Sequence, residues 1–103
     1  MSAGEQVAEF LRLAEADPRK TLTLATPVTQ QVHAQRDFAA ESVAERAIGI
    51  AAMHLADLDA SVRHLRSAIR LADRAGQRAV HRHPPAAVMY QNRARSPGVP
   101  WQR

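Results

Sequence analysis

The stretch from Glu41 to Gly76, ESVAERAIGIAAMHLADLDASVRHLRSAIRLADRAG, constrains the chain more than any other. Its apolar residues recur three and four apart, the spacing that gathers side chains on one face of a helix. Ala44, Ile48, Ala51 and Leu55 form one stripe, and Leu58, Val62, Leu65, Ala68, Ile69 and Ala72 form the inner face of a second helix. Ala56-Asp57-Leu58-Asp59 reads as the turn between them, with Asp57 or Asp59 as the cap of the second helix and Asp37 as the cap of the first. Gly76 reads as the glycine that ends the second helix. The unit is a helical hairpin, and such units bury their faces on neighbours rather than alone.

The preceding residues supply further helices. Val7, Phe10, Leu11 and Ala14 share one face of a helix over Glu5 to Ala16. Asp17-Pro18 then breaks the chain and starts another, since Asp caps well and Pro suits the first helical position. The segment Pro18 to Arg36 sends mixed signals. Thr21 to Thr26, TLTLAT, alternates with period two like a strand, and Pro27 would cost a continuous helix about 3 kcal/mol. With no strand partner nearby, the expectation is a helix kinked at Pro27 or restarted there with Thr26 as its cap.

Beyond Gly76 the character changes. Residues 77–103 hold four of the six prolines and five arginines, with no acidic side chain. Pro84-Pro85 and Ser96-Pro97-Gly98 interrupt any long helix, leaving a short helix from Pro85 to about Arg93 in an otherwise irregular tail. The charge follows this division. Residues 1–76 carry nine basic and ten acidic groups, net −1, and residues 77–103 carry net +5. The basic character belongs to the tail.

Composition removes several classes of function. A chain of 103 residues makes one domain with a modest core. Much of its apolar content is alanine, which favours helix and close helix approach but buries little area. The absence of cysteine excludes disulfides, thiolate metal sites and a cysteine nucleophile. Thirteen arginines against one lysine fit codon bias in a GC-rich genome. The N-terminal residues are acidic where a secretory signal needs a basic start, and no stretch approaches the ~18 apolar residues of a membrane span. The expectation is a soluble cytoplasmic protein.

Glu41 to Gly76 resembles a tetratricopeptide repeat, a family unit of about 34 residues with the pattern W-x2-L-G-x2-Y, then A-x3-F, then P. Glu45-x-x-Ile48-Gly49-x-x-Ala52 stands on the first element, Ser61-x-x-x-Leu65 on the second, and Asp73 at the proline, giving a repeat over 42–75. Gly49 would remove a side chain where the partner helix crosses closely, Ser61 is small enough for the same crossing, and Leu65 would fill the space between hairpins. Glu45 and Ala52 depart from the large apolar and aromatic residues of the family. The wording LADLDASVRHLRSAIRLADRAG is similar to repeat regions of GC-rich bacterial proteins, some of which precede a caspase-like peptidase domain that needs a Cys/His pair. The resemblance implies an all-α fold of about four helices over residues 1–76, with 77–103 as a basic tail. Roughly three repeats are usually needed for stability, so a truncated or frameshifted remnant of a larger repeat protein is also expected to fit.

In that family the first helix of each hairpin lines a peptide-holding groove. Transferred here, the groove carries Arg46, Ile50, Met53 and His54, with Ile50 and Met53 as an apolar floor and Arg46 facing an acidic or carboxylate group. The expected partner is a protein or peptide, with self-association compatible and no membrane. The alternative is a small basic nucleic-acid-binding protein. Arg63, Arg66, Arg70 and Arg74 fall three and four apart, a stripe that Arg78, Arg82, Arg93 and Arg95 could extend along phosphates, with Tyr90 and Trp101 to stack on bases. His81 and His83 make no metal site without further ligands, and His54 and His64 flank the turn. No nucleophile, phosphate loop or carboxylate pair is visible, so neither enzymatic activity nor a cofactor is expected.

Overall fold

The computed structural model describes residues 2–82, with side chains as far as Val80. The chain is all-α. Four helices follow one another, α1 (Ala3–Ala16), α2 (Pro18–Ala34), α3 (Phe38–His54) and α4 (Leu58–Arg82). They form two hairpins, α1 with α2 and α3 with α4, and α3 packs against all three other helices. This arrangement is compatible with stacked helical repeats.

Each helix start has a local cause. Ser2 caps α1 in a capping box with Glu5. Asp17 ends α1 and caps α2, its carboxylate accepting from the Lys20 N–H at 3.2 Å, with Pro18 as the first helical residue. Asp37 and Asp57 accept in the same way from the N–H groups of Ala40 and Ala60. The two later turns are built alike. Arg36 and Ala56 have positive φ, 55° and 62°, and the next N–H, on Asp37 or Asp57, reaches back to the carbonyl of Val32 or Ala52. Both are Schellman closures without glycine. The acidic turn expected over Ala56 to Asp59 is shorter than that: Asp57 caps α4, and Leu58 and Asp59 already belong to the helix.

α2 runs unbroken through Pro27. Pro27 is exposed, so the carbonyl it leaves without a donor can meet water. Thr26 does not restart the helix; its hydroxyl donates back to the Leu22 carbonyl at 2.8 Å. Thr21, Thr23 and Thr29 make the same four-residue back-bond. The strand-like alternation thus dissolves into a helix whose threonines satisfy their hydroxyls locally.

The core is small-residue and alanine-rich, formed by Val7, Phe10, Ala25, Val32, Ala40, Ala44, Ala47 and Ile48. α3 and α4 approach closely where Gly49 meets Leu65. Ser61 donates to the Gly49 carbonyl at 2.8 Å, and Ser42 donates to the Ala68 carbonyl at 2.7 Å. With Glu45 opposite His64, these pairs run in opposite directions along the two helices and fix their antiparallel register. Leu65 lies over Gly49 inside this hairpin rather than between hairpins.

Two expectations for the second helix fail. Gly76 does not end α4, which continues to Arg82 and carries the helix past residue 76. Nor are all its apolar residues inward. Ala68 is buried and Leu65 half-buried, but Leu58, Val62 and Ile69 stay exposed. The short helix expected from Pro85 to about Arg93, the side chains of His81, Arg82, His83, Arg93 and Arg95, and Tyr90 and Trp101 lie outside the described residues.

Candidate functional site

Successive helical turns place Glu41, Glu45 and Ile48 on the face of α3 that looks toward α2 and the near flank of α4. Opposite them α2 contributes Leu22, Thr26, Thr29, Gln30 and His33, and α4 contributes His64. These residues line a cleft of about 500 Å³. The wall is mostly apolar despite its threonines, because Thr26 and Thr29 spend their hydroxyl protons on carbonyls of their own helix.

Two carboxylates enter this cleft one helical turn apart. Glu41 is buried, and its Oε2 lies 2.9 Å from Nδ1 of His33 on α2. Glu45 has a side chain 13% exposed, with Oε2 3.1 Å from Nδ1 of His64 on α4. An ionised carboxylate only accepts, so either contact is a hydrogen bond in the tautomer that places a proton on Nδ1. α3 is thereby tied to a helix on either side by a Glu–His contact. Glu41 Oε1 is buried with no hydrogen-bond partner among the described residues.

The other flank of the α3–α4 hairpin is apolar and uncovered. Leu58 is 65% exposed, Val62 46% and Ile69 64%. At 3.6 residues per turn they line one edge of α4, opposite to the edge that carries His64. On the same side α3 presents Met53, 49% exposed, with half-buried Ile50 and exposed Arg46.

The residues picked from sequence as a peptide groove therefore do share the outward side of α3. Arg46, Ile50 and Met53 border the uncovered edge, and His54 is exposed at the helix end. The arginine stripe is divided. Arg63 and Arg66 are exposed, Arg70 donates to Ser67 Oγ at 2.9 Å, and the Arg74 guanidinium lies 4.4 Å from the centre of the Phe38 ring. Arg78 lies 5.8 Å from the same ring and donates to the Arg36 carbonyl at 2.9 Å. His64 meets Glu45 rather than His54. The Glu–His pairs are the residues that sequence reasoning missed. Two glutamates four apart on an otherwise apolar helix face were the available signal.

Among the described residues, no three of His, Asp and Glu come together in a way that could hold a metal ion, and no helix is long and apolar enough to cross a membrane. No family model matches the chain, and neither a curated protein nor a solved structure does.

Proposed function

We propose that this chain is a protein-interaction module of tetratricopeptide-like hairpins, whose working surface is the uncovered edge of α4 beside the outward face of α3. The observation that carries this reading is the exposure of Leu58, Val62 and Ile69 in one stripe. Stripes of this kind on a stable helix mark contact surfaces, and in stacked hairpins this is the edge a following unit would cover.

The partner that fits best is a second copy. Along α4, residues 58, 62, 65, 69, 72, 76 and 79 follow a heptad seam, and Arg66 and Asp73 flank it on the side away from α3. Antiparallel pairing about a two-fold axis beside Ile69 sets Arg66 of each copy against Asp73 of the other, twice. The charge pattern is self-complementary, as a two-fold contact requires. The pairing would also seat the exposed Gly76 opposite Val62, where the missing side chain leaves room.

Sedimentation velocity over a range of concentrations tests the reading. The expected result is a reversible dimer that Ile69→Asp converts to monomer with unchanged helicity. Arg66→Asp should weaken the dimer, and adding Asp73→Arg should restore it. A wild-type chain that stays monomeric throughout overturns the assignment. Salt-sensitive retention of such a monomer on immobilised DNA would replace it with phosphate binding through Arg63, Arg66 and Arg70.

A further inference from the structure

The uncovered edge of α4 runs on past the core. Ile69 is 64% exposed and Val80 40%, and Ala72 between them is exposed as well. Beyond Ala75 the helix is fastened by Arg74 and Arg78 on the Phe38 ring and by Arg78 on the Arg36 carbonyl, all of them away from this edge. Asp73 borders the same stretch on the side away from α3, and it makes no ion pair among the described residues.

The sequence that leaves α4 carries the matching pattern. Pro84-Pro85 breaks the helix, and Pro85 suits the first position of a new one. In a helix over Pro85 to about Arg93, the residues Ala86, Met89, Tyr90 and Arg93 recur at i, i+3, i+4 and i+7 and share one face. That face is apolar as far as Tyr90 and ends in a cation. The tether then sets the register. A connection of two residues, His83 and Pro84, is at the short end for antiparallel helices and brings Pro85 level with residue 81. Both helices rise 1.5 Å per residue, so Ala86 comes level with Val80 and Arg93 with Asp73. Residues 77–103 hold no acidic side chain, which makes Asp73 the nearest acid in sequence to Arg93. A contact of one short helix face is weak between separate molecules, but a short tether presents it at an effective concentration in the millimolar range.

We propose that residues 85–93 fold back antiparallel on the uncovered edge of α4, with Ala86, Met89 and Tyr90 over the edge between Asp73 and Val80 and Arg93 on Asp73, and that this contact closes the edge to a second copy. In the two-fold pairing Asp73 meets Arg66 of the other copy, so the two contacts exclude each other at that residue. The closure rests on the self-association reading; the fold-back contact does not.

The full chain has no cysteine, so Asn92→Cys accepts a single nitroxide label. In dilute isotope-labelled protein, paramagnetic broadening is expected at the amides of Ile69, Ala72 and Asp73, and it should disappear when Met89→Asp and Arg93→Glu are added. Broadening confined to residues after Ala75, or unchanged by those substitutions, reflects the tether alone and overturns the proposal. So does broadening of Ile69 in a nitroxide-free chain mixed with a labelled one, which assigns the contact to a second copy. By sedimentation velocity without the label, Met89→Asp with Arg93→Glu should tighten the dimer about tenfold, because both copies must release their segments before pairing. Unchanged dimerisation overturns the closure. A chain that stays monomeric with and without the substitutions removes the self-association reading instead, and the broadening alone then decides the fold-back contact.

Discussion

A Cβ placed on Gly49 would stand 2.7 Å from Cγ of Leu65 and 3.3 Å from its backbone nitrogen. The α3–α4 crossing is therefore set by the absence of a side chain, and Leu65 occupies the space released. Alanine at 49 would gain about 1 kcal/mol of helix propensity, but it must push Leu65 and the α4 backbone outward, which costs about 1–3 kcal/mol. Gly49→Ala should lower stability by about 1 kcal/mol in urea unfolding. The coupling is specific. Leu65→Ala should cost less in the Gly49→Ala background than in the wild type, and a double-mutant cycle with no interaction term would dissociate the two residues.

The turns after α2 and α3 offer a change in the other direction. Arg36 and Ala56 hold positive φ without being glycine, a conformation that costs an L-residue roughly 1–2 kcal/mol. Ala56→Gly should stabilise the chain by about 0.5–1 kcal/mol once the extra freedom of unfolded glycine is deducted. Asp57→Ala, which removes the carboxylate on the Ala60 N–H, should cost about 1 kcal/mol. Denaturant midpoints with an unchanged slope would register both.

Phe38 governs the far end of α4. Beyond Ala75 the helix extends past the core and is fastened to the body by Arg74 and Arg78 around the Phe38 ring and by Arg78 on the Arg36 carbonyl. Phe38→Leu keeps an apolar side chain and removes the ring face, so global stability should fall by only about 0.5–1 kcal/mol. The local effect should be larger. Amide exchange from Arg74 to Val80 should speed up severalfold, while the amides of Ala44 to Ala52 remain as protected as before. Equal acceleration in both segments would show that Phe38 supports the core rather than the helix end.

Local signals explain most of the helices and few of the contacts between them. Asp17, Asp37 and Asp57 are caps with side chains well suited to the task, and the three- and four-residue spacing of Val7, Phe10, Ala44 and Ile48 is a local property, so these elements were legible. Gly49 was legible too, because the repeat-like pattern marks a close crossing. Of the two expectations at Pro27, the restart with Thr26 as cap fails, because an exposed proline leaves its free carbonyl to water and one helix runs through it. The inward face assigned to Leu58, Val62 and Ile69 failed because periodicity tells which residues share a face, not whether anything covers it. The two glutamates four apart were legible, but their histidine partners were not. His33 and Glu41 approach across the α2–α3 turn, and Glu45 and His64 stand 19 residues apart, so each pair depends on helix register. Glu45 was noticed as a departure from the repeat pattern, but without His64 opposite it, it carried no chemistry.

The sequence pattern marks Gly76 as a helix stop, yet α4 runs through it to Arg82. A terminal glycine works by adopting positive φ, and no glycine of the described residues does so. Gly76 stays helical, and beyond it Arg78 is fastened to Phe38 and the Arg36 carbonyl, contacts that no local pattern displays. A Cβ on Gly76 would meet nothing within 4 Å. In the monomer, Gly76→Ala should therefore raise helicity and stabilise α4 by up to about 1 kcal/mol. In the antiparallel pairing proposed above, Gly76 faces Val62 of the second copy, so the same methyl group should be tolerated poorly and a leucine not at all. Gly76→Leu should raise helicity relative to the wild type while shifting the sedimentation equilibrium toward monomer. If the leucine variant dimerises as well as the wild type, Gly76 lies outside the seam and the two-fold axis is not beside Ile69.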